Sequence, residues 1–494
     1  MKRIPKLISK TKLMRGYRCL KCIYLTIHHP ELEPPVTPEL QAKFDAGNEV
    51  GELARQYIPG GTLVNCAPWE FGDALAMTRD LIADGTPIIY EAAFEFAGCY
   101  ARADIIQYSH DTKRWNIYEV KSTLSVKDEH IDDVGLQTWI MAKSGLPIEK
   151  IHVMHLNKEC RYPDLSNLFV IEDVTQHMRD NYTRVMPRVK EIIDTINRDK
   201  VPDIDIGPYC HDPNECPFTG HCWKNIPEPS IFNLPGIKDR KWELYHQGII
   251  SLDDPRLTDL TEIQQRMVDV YQSGERYVDH ESIHAEISQW QYPLIFLDFE
   301  TINPGIPRYD GCGPYQQVPF QFSAHILTAP DAELIHHEFL FTSASDPRPT
   351  IIPALLNACG TEGSIVAYYG KFEASRIKEL AEFSPADSEA LLALCERIVD
   401  PLPIFRAAVY DNKFCGSFSL KYVAPALLGA EQSYEGMAVA NGGDAQRAFE
   451  EMITPGIDPG RHAALTEALL AYCEKDTMVM VDLTRWMLAQ GGGS

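Results

Sequence analysis

The sequence contains no run of about 18 apolar residues, so no transmembrane helix is expected. No apolar h-region follows the basic start MKRIPKLISKTKLMRGYR. A secretory leader is therefore not expected, and the chain reads as cytoplasmic. Internal repeats are missing too. Positive charge is scarce: 46 Lys and Arg stand against 70 Asp and Glu, a net charge of −24. That excludes a protein that binds nucleic acid over its whole surface through cationic charge. It leaves room for a local basic patch. Residues 2–21 carry Lys2, Arg3, Lys6, Lys10, Lys12, Arg15, Arg18 and Lys21 with no acidic residue. A solvated helix face is the plainer reading of that stretch.

What is present is a chain able to bury sizeable cores. Its 494 residues are 45% hydrophobic and 10% aromatic, which points to two to four domains. Thirteen cysteines, an odd number with no leader, fit metal ligation or buried thiols better than a disulfide framework. Residues 1–225 form one unit that begins and ends with cysteines. Residues 226–285 read as a short helical linker after the Pro-rich joint IPEPSIFNLPGI. Residues 286–490 open with the apolar strand YPLIFLDFE and close with a helix from about 462 to 488. The final GGGS, 491–494, is a linker-like tail. Strands and helices mix in both large units, so an α/β or α+β fold is expected, with α/β the class assigned.

Three groups of residues carry chemistry. The first is in RADIIQYSHDTKRWNIYEVKST, which reads as a hairpin with strands near 100–108 and 115–122. Alternation puts Trp115, Ile117, Glu119 and Lys121 on one face. Acid and base beside apolar residues are costly to bury alone. A divalent cation would neutralise Asp104 and Glu119, and Lys121 would orient water or steady phosphate charge. A surface ion pair explains the same spacing. The second group is Cys210, Cys216 and Cys222, spaced C-x5-C-x5-C, with Cys19 or Cys22 as a distant fourth thiol. Three thiols in thirteen residues suggest a loop wrapped round a soft metal; zinc, with His211 or His221, competes with iron. The third is Asp298 and Glu300 at the end of LIFLDFET, with Tyr472 and Asp476 in the apolar stripe 465, 469, 472, 476, 479, 483 of the last helix. Buried carboxylates in such places need a cation or strong hydrogen bonds.

The first group resembles the RecB-type branch of the PD-(D/E)XK nucleases: Asp104, then Glu119-Val120-Lys121, then Gln137 and Trp139 in DDVGLQTWIM. That implies a restriction-endonuclease-like fold with catalytic Asp104, Glu119, Lys121 and Gln137. The family's early metal-binding His falls at Gly51, so Glu91, Glu95, Glu49 or Glu52 would complete the metal shell, with Glu91 first. Relatives of this branch carry one Cys before the core and three after it. The resemblance thus implies a 4Fe–4S cluster on Cys19, Cys210, Cys216 and Cys222 that staples the ends of the unit. The third group is similar to the tyrosine-type branch of the DEDD exonucleases on an RNase H-like fold. D-x-E is met by Asp298 and Glu300, and Y-x-x-x-D by Tyr472 and Asp476. Glu373, in IVAYYGKFEASRIKEL, stands where an Asp is usual. This resemblance implies two Mg²⁺ or Mn²⁺ ions about 3.5–4 Å apart on these carboxylates, with Tyr472 orienting the attacking water. Lys421 and Arg376 are candidates for phosphate contact. The stretch LPGIKDRKWELYHQGIISLDD is weakly similar to a helix-hairpin-helix, with Lys238 at a usual glycine.

The expectation is a metal-dependent nuclease that hydrolyses DNA, single-stranded or at duplex ends, from two candidate sites. Three alternatives stay open. One site is active while the other unit grips nucleic-acid ends, with Tyr309, Tyr315 or Phe320 stacking bases. The substrate is RNA. Or the chain is a non-catalytic scaffold. No protein partner is indicated.

Overall fold

The computed structural model describes residues 6–491; Lys2 and Arg3 of the basic stretch and residues 492–494 of the tail lie outside the described residues. The chain is mixed α/β, with seventeen α-helices and three sheets among the described residues. No described helix is long and apolar enough to cross a membrane. The chain divides into two compact units. The first runs to Asn225 and adds Gly305–Arg308 and Cys312–Tyr315; the second takes Ile226–Pro304, Tyr309–Gly311 and the chain from Gln316 onward.

The first unit is built on a seven-stranded sheet: β1 (Ile8–Ser9), β2 (Thr62–Leu63), β3 (Ile88–Phe96), β4 (Cys99–Ser109), β5 (Arg114–Lys121), β6 (Ile148–Leu156) and β7 (Phe169–Asp173). The order is β2-β3-β4-β5-β6-β7. The run β3-β4-β5 is antiparallel, β6 joins β5 in parallel, and β1 pairs in parallel with the first residues of β4. The pairing of β1 brings the following helix, α1 (Lys10–Arg18), to the sheet. Between β5 and β6 runs α2 (Asp128–Lys143), with two acids in its first turn and Lys143 in its last, as the helix dipole favours. Ile117, Val134, Leu136, Ile140 and Val153 are fully buried between this helix and the sheet. Trp115, Ile117 and Glu119 alternate into the interior along β5.

The second unit holds a five-stranded sheet of β9 (Leu294–Ile302), β10 (Val318–Leu327), β11 (Ile335–Leu340), β12 (Ser364–Val366) and β13 (Ile398–Val399), ordered β11-β10-β9-β12-β13. Only β10 runs against the others. A two-stranded pair, β8 (Tyr277–Val278) with β14 (Val409–Tyr410), lies apart from it. Strand β9 is apolar on both faces, as a central strand covered on both sides must be. Three helices position the site: α3 (Lys371–Phe383), α4 (Gly442–Met452) and α5 (Pro459–Gly491). Helix α5 starts with Pro at its first position, and Asp458 accepts from Arg461 N at 3.0 Å. It packs along β9 and β10.

Residues 226–285 do not stand apart as a linker. Ile231, Leu234, Leu244, Leu252 and Met267 are buried in one cluster with Phe405, Val423 and Leu483. Their apolar side chains are numerous enough to make them part of the second unit's core. Lys238 sits at φ 48, a conformation glycine adopts more cheaply.

Candidate functional site

In the first unit the sheet and α2 bring Asp104, Glu119, Lys121 and Gln137 together. Pairs Tyr90↔Ile105 and Ala92↔Ala103 bracket Glu91, so it lies across from Asp104 on the neighbouring strand. Its φ of 57 is unusual for a non-glycine residue inside a strand. Glu49, Glu52 and Glu95 are exposed, and among the four glutamates offered for the shell only Glu91 adjoins the cluster. Asp104 Oδ2 accepts from Val120 N at 2.6 Å. Gln137 Nε2 donates to Glu119 Oε2 at 2.7 Å, and Lys121 Nζ donates to Glu119 Oε1 at 2.9 Å. Trp139 is buried against Phe96, with ring centroids 5.4 Å apart, and serves the core.

Two residues outside the motif complete this network. Asp133 accepts from Lys121 Nζ at 2.5 Å. Lys10 Nζ reaches Glu119 Oε1 at 2.7 Å, Gln137 Oε1 at 2.8 Å and Asp133 Oδ2 at 3.1 Å. Asp133 stands four residues before Gln137 on the same helix face, a signal the sequence did offer. Lys10 gave none, since only the pairing of β1 with β4 carries it there. Burial lifts Asp104 well above the ordinary carboxyl range, and the charges of Glu119 and Glu91 add to it. Burial alone would depress the Lys10 ammonium, but Asp133 and Glu119 outweigh it and raise its pKa. Other cations of the basic stretch are also spent inside the unit. Arg15 pairs with Glu33 at 2.7 Å, and Lys21 donates to Ile204 O at 3.0 Å.

The five thiols of Cys19, Cys22, Cys210, Cys216 and Cys222 line one small cavity with Leu25, Tyr209 and Phe218. Neither His211 nor His221 lines it, and His211 is turned onto Trp223. Cys22 and Cys216 Sγ are 3.7 Å apart. The hydrogen bond from Cys22 draws the Cys216 thiol down to about 6. Two thiolates on one tetrahedral zinc at about 2.3 Å would be about 3.8 Å apart, so this pair fits a single ion as it stands. The full set of five soft donors also fits a cluster on four of them.

In the second unit Asp298, Glu300 and Asp476 offer carboxylate oxygens that all lie within 4.8 Å of one another. They line a cleft of about 390 Å³ with Glu373, Tyr472, Tyr369, Gly442 and Gly443. Strand β9 supplies Asp298 and Glu300 two residues apart, helix α5 supplies Tyr472 and Asp476 one turn apart, and the first turn of α3 supplies Glu373. Glu373 Oε2 is buried with no hydrogen-bond partner. Burial raises all four acids. Asp298 rises well above the usual range, helped by Asp476, Glu300 and Glu373. Glu300 and Glu373 each move to about 8. Asp476 moves only to about 6, because the hydroxyls of Tyr434 and Tyr472 and the charges of Lys421 and Lys475 favour its anion. Tyr434, which no motif flagged, donates to Asp476 Oδ1 at 2.5 Å.

The other candidates serve structure. Arg376 is buried, forks onto Glu379 at 2.6 and 2.8 Å, and lies over Phe372. Lys421 Nζ donates to Ala440 O at 2.6 Å, while its charge still falls on Glu300 and Asp476. Tyr309 and Phe320 are buried, and Phe320 stacks on Phe449 at 4.0 Å, so neither is open to a base. Tyr315 donates to Ser122 O at 2.5 Å within the first unit.

Residues 295–419 match the family described as a domain of unknown function, DUF2779. A comparison with the curated proteins finds no match. Among solved structures, the crystal structure of SSO0001 is similar at 14% identity and a TM-score of 0.24, over 45% of this chain and 88% of that one.

Proposed function

We propose that the chain is a metal-dependent nuclease acting on DNA, with a PD-(D/E)XK-type site in the first unit and a DEDD-type site on an RNase H-like second unit. The observation that carries this reading is the trio Asp298, Glu300 and Asp476, a half-buried acid and two buried ones within 4.8 Å of one another. Such a cluster repels itself and binds either protons or cations. The strand order β11-β10-β9-β12-β13, with only β10 reversed, is consistent with an RNase H-like sheet. The Asp104, Glu119, Lys121 and Gln137 network supports the first site in the same way.

Mg²⁺ or Mn²⁺ would be held by Asp298, Glu300 and Asp476, with Glu373 at the cleft wall, and by Asp104, Glu119 and Glu91 in the first unit. Bound there, a divalent ion supplies Lewis acidity, charge neutralisation and a lowered pKa for water. The chain's own groups do the rest. Tyr472 keeps its proton, because burial and Asp476 raise its pKa; the hydroxyl donates to Asp476, and its oxygen would accept from an incoming water and so orient it. Lys121, held protonated by Glu119 and Asp133 against the cost of burial, places a fixed cation where phosphate charge builds. For the cysteine site, a 4Fe–4S cluster with a structural role follows from the resemblance. The 3.7 Å separation of Cys22 and Cys216 favours zinc as the second reading. A cytoplasmic location goes with thirteen cysteines that form no disulfide among the described residues.

The test is hydrolysis of labelled single- and double-stranded DNA and RNA with Mg²⁺ or Mn²⁺, by wild type, Lys121→Ala, Asp298→Ala and the double variant. Activity that divides between the single variants and vanishes in the double supports two working sites. Loss in one single variant alone leaves one site, and cleavage of RNA alone changes the substrate. Four proteins that behave alike overturn the assignment. Iron and zinc analysis of anaerobically purified protein decides the cysteine site.

A further inference from the structure

A second group of metal donors lies in the second unit, outside the carboxylate trio. His325 on β10 and His336 on β11 are directly opposed across the antiparallel pair. Their rings stack at 4.3 Å with an interplanar angle of 13°. Glu474 on α5 joins them, with Oε1 3.8 Å from His336 Nδ1. One donor atom from each of the three lies within 4.8 Å of the other two. The three come from two strands and a helix, so no sequence spacing announces them.

The surrounding hydrogen bonds prepare both rings as ligands. His325 Nδ1 is 2.8 Å from Thr477 Oγ1, and His336 Nε2 is 3.0 Å from Ser323 Oγ. Ser323 Oγ and Thr477 Oγ1 are 2.7 Å apart, and Thr477 Oγ1 also donates to Glu474 O at 3.0 Å. One proton arrangement satisfies the whole chain. Thr477 donates to the carbonyl and accepts from Ser323 and from His325 Nδ1–H, while Ser323 accepts from His336 Nε2–H. Both rings are then neutral, with lone pairs left on His325 Nε2 and His336 Nδ1. Metal-bound histidines are oriented in this manner, by a partner on the other ring nitrogen.

We propose that His325, His336 and Glu474 form a binding site for one transition-metal ion of the zinc type, distinct from the carboxylate trio. Two imidazoles and one carboxylate suit Zn²⁺ better than Mg²⁺, which prefers oxygen donors. Tetrahedral ligands at about 2.0–2.1 Å from zinc stand about 3.4 Å apart. The imidazole lone pairs lie in the ring planes, so binding one ion turns the two rings out of their parallel stack, and Glu474, whose side chain is 52% exposed, follows them. The fourth position opens to water or an incoming ligand. The ion would tie β10 and β11 to α5, the helix that presents Tyr472 and Asp476.

The test uses full-length protein stripped with a chelator and titrated with Zn²⁺, with zinc per chain measured after desalting. His336→Gln and Glu474→Gln are each compared with wild type, and circular dichroism checks the fold. Each variant is expected to retain one zinc fewer per chain. The corresponding step should weaken by more than about 100-fold, the upper range for losing only an outer partner. Co²⁺ gives a second readout: the visible bands of a nitrogen- and oxygen-ligated ion should vanish in both variants, while thiolate bands from the cysteine cavity persist. Equal zinc content and equal titrations in all three proteins overturn the proposal. Should His336→Gln fail to fold, Glu474→Gln decides alone, since its site is half-exposed.

Discussion

Lys10 and Lys121 share one oxygen of Glu119 and one of Asp133, so each lysine is half of the other's surroundings. Removing Lys10 leaves those acids with one cation in a buried place. Lys10→Met is expected to cost about 3–5 kcal/mol in metal-free protein, read by urea unfolding, with part recovered on adding Mg²⁺. Protonation of buried acids in the second unit makes stability depend on pH. Glu300 and Glu373 hold their protons to about pH 8 in the folded chain, against about 4.3 unfolded. The native state then binds more protons than the unfolded one, so stability falls as pH rises. Below pH 6.5 the depressed histidines His130 and His325, both near 4, act in the opposite sense. Metal-free protein should therefore lose stability between pH 6.5 and 8, by up to about 1.4 kcal/mol per pH unit for each retained proton, and its Tm should fall with it. Mn²⁺ should restore it, and Glu300→Gln should flatten the slope. Thermal scans across pH check both. The acids of the sites were legible because period 2 in a strand and period 3.6 in a helix leave a buried charge out of place. Lys10, Tyr434 and the His325–His336 pair were not, because strand pairing and loop packing bring them in.

At the scale of elements, two features of the second unit are open to direct test. Gly416 has φ 79, and a Cβ there would run into the Asn233 carbonyl oxygen. Gly436 has φ 87 with open space around it. Both alanine variants lose about 1–2 kcal/mol from the left-handed backbone. Gly416→Ala should lose clearly more, as chemical denaturation would read it. Helix α5 is the other feature. The stripe 465, 469, 472, 476, 479, 483 lies buried along its length, and Leu469 is fully so. Leu469→Ala should cost about 2–5 kcal/mol, through lost burial and an unfilled cavity. The strand at LDFE and this long helix were legible from apolar periodicity alone. The packing role of residues 226–285 was not, since short helices carry too few turns to show which neighbour covers them.

For the whole molecule, charge and metal set the expectations. A chain of net charge −24 that binds DNA must do so through local cations, so affinity should fall steeply between 50 and 200 mM salt. A salt-insensitive complex would exclude a phosphate-lined groove. The cysteine cavity joins residues 19–22 to residues 210–222. A metal there closes a loop of nearly the whole first unit, a constraint on the order of 4–5 kcal/mol if it acts as a cross-link does. Cys216→Ser should accordingly lower the calorimetric transition of that unit, with its iron or zinc content falling in step.

The first unit is assembled from three separated stretches of chain, and Ile306 and Tyr315 pack against its buried Tyr90, Ile105 and Met154. This bears on the order of events during synthesis. When Asn225 leaves the ribosome, the unit still lacks pieces of its interior. About 90 further residues, from 225 to 315, must follow, which takes roughly 5–18 s at 5–20 residues per second. Through that interval a nascent first unit displays apolar surface, and chaperone binding to stalled chains should drop once residue 315 has emerged.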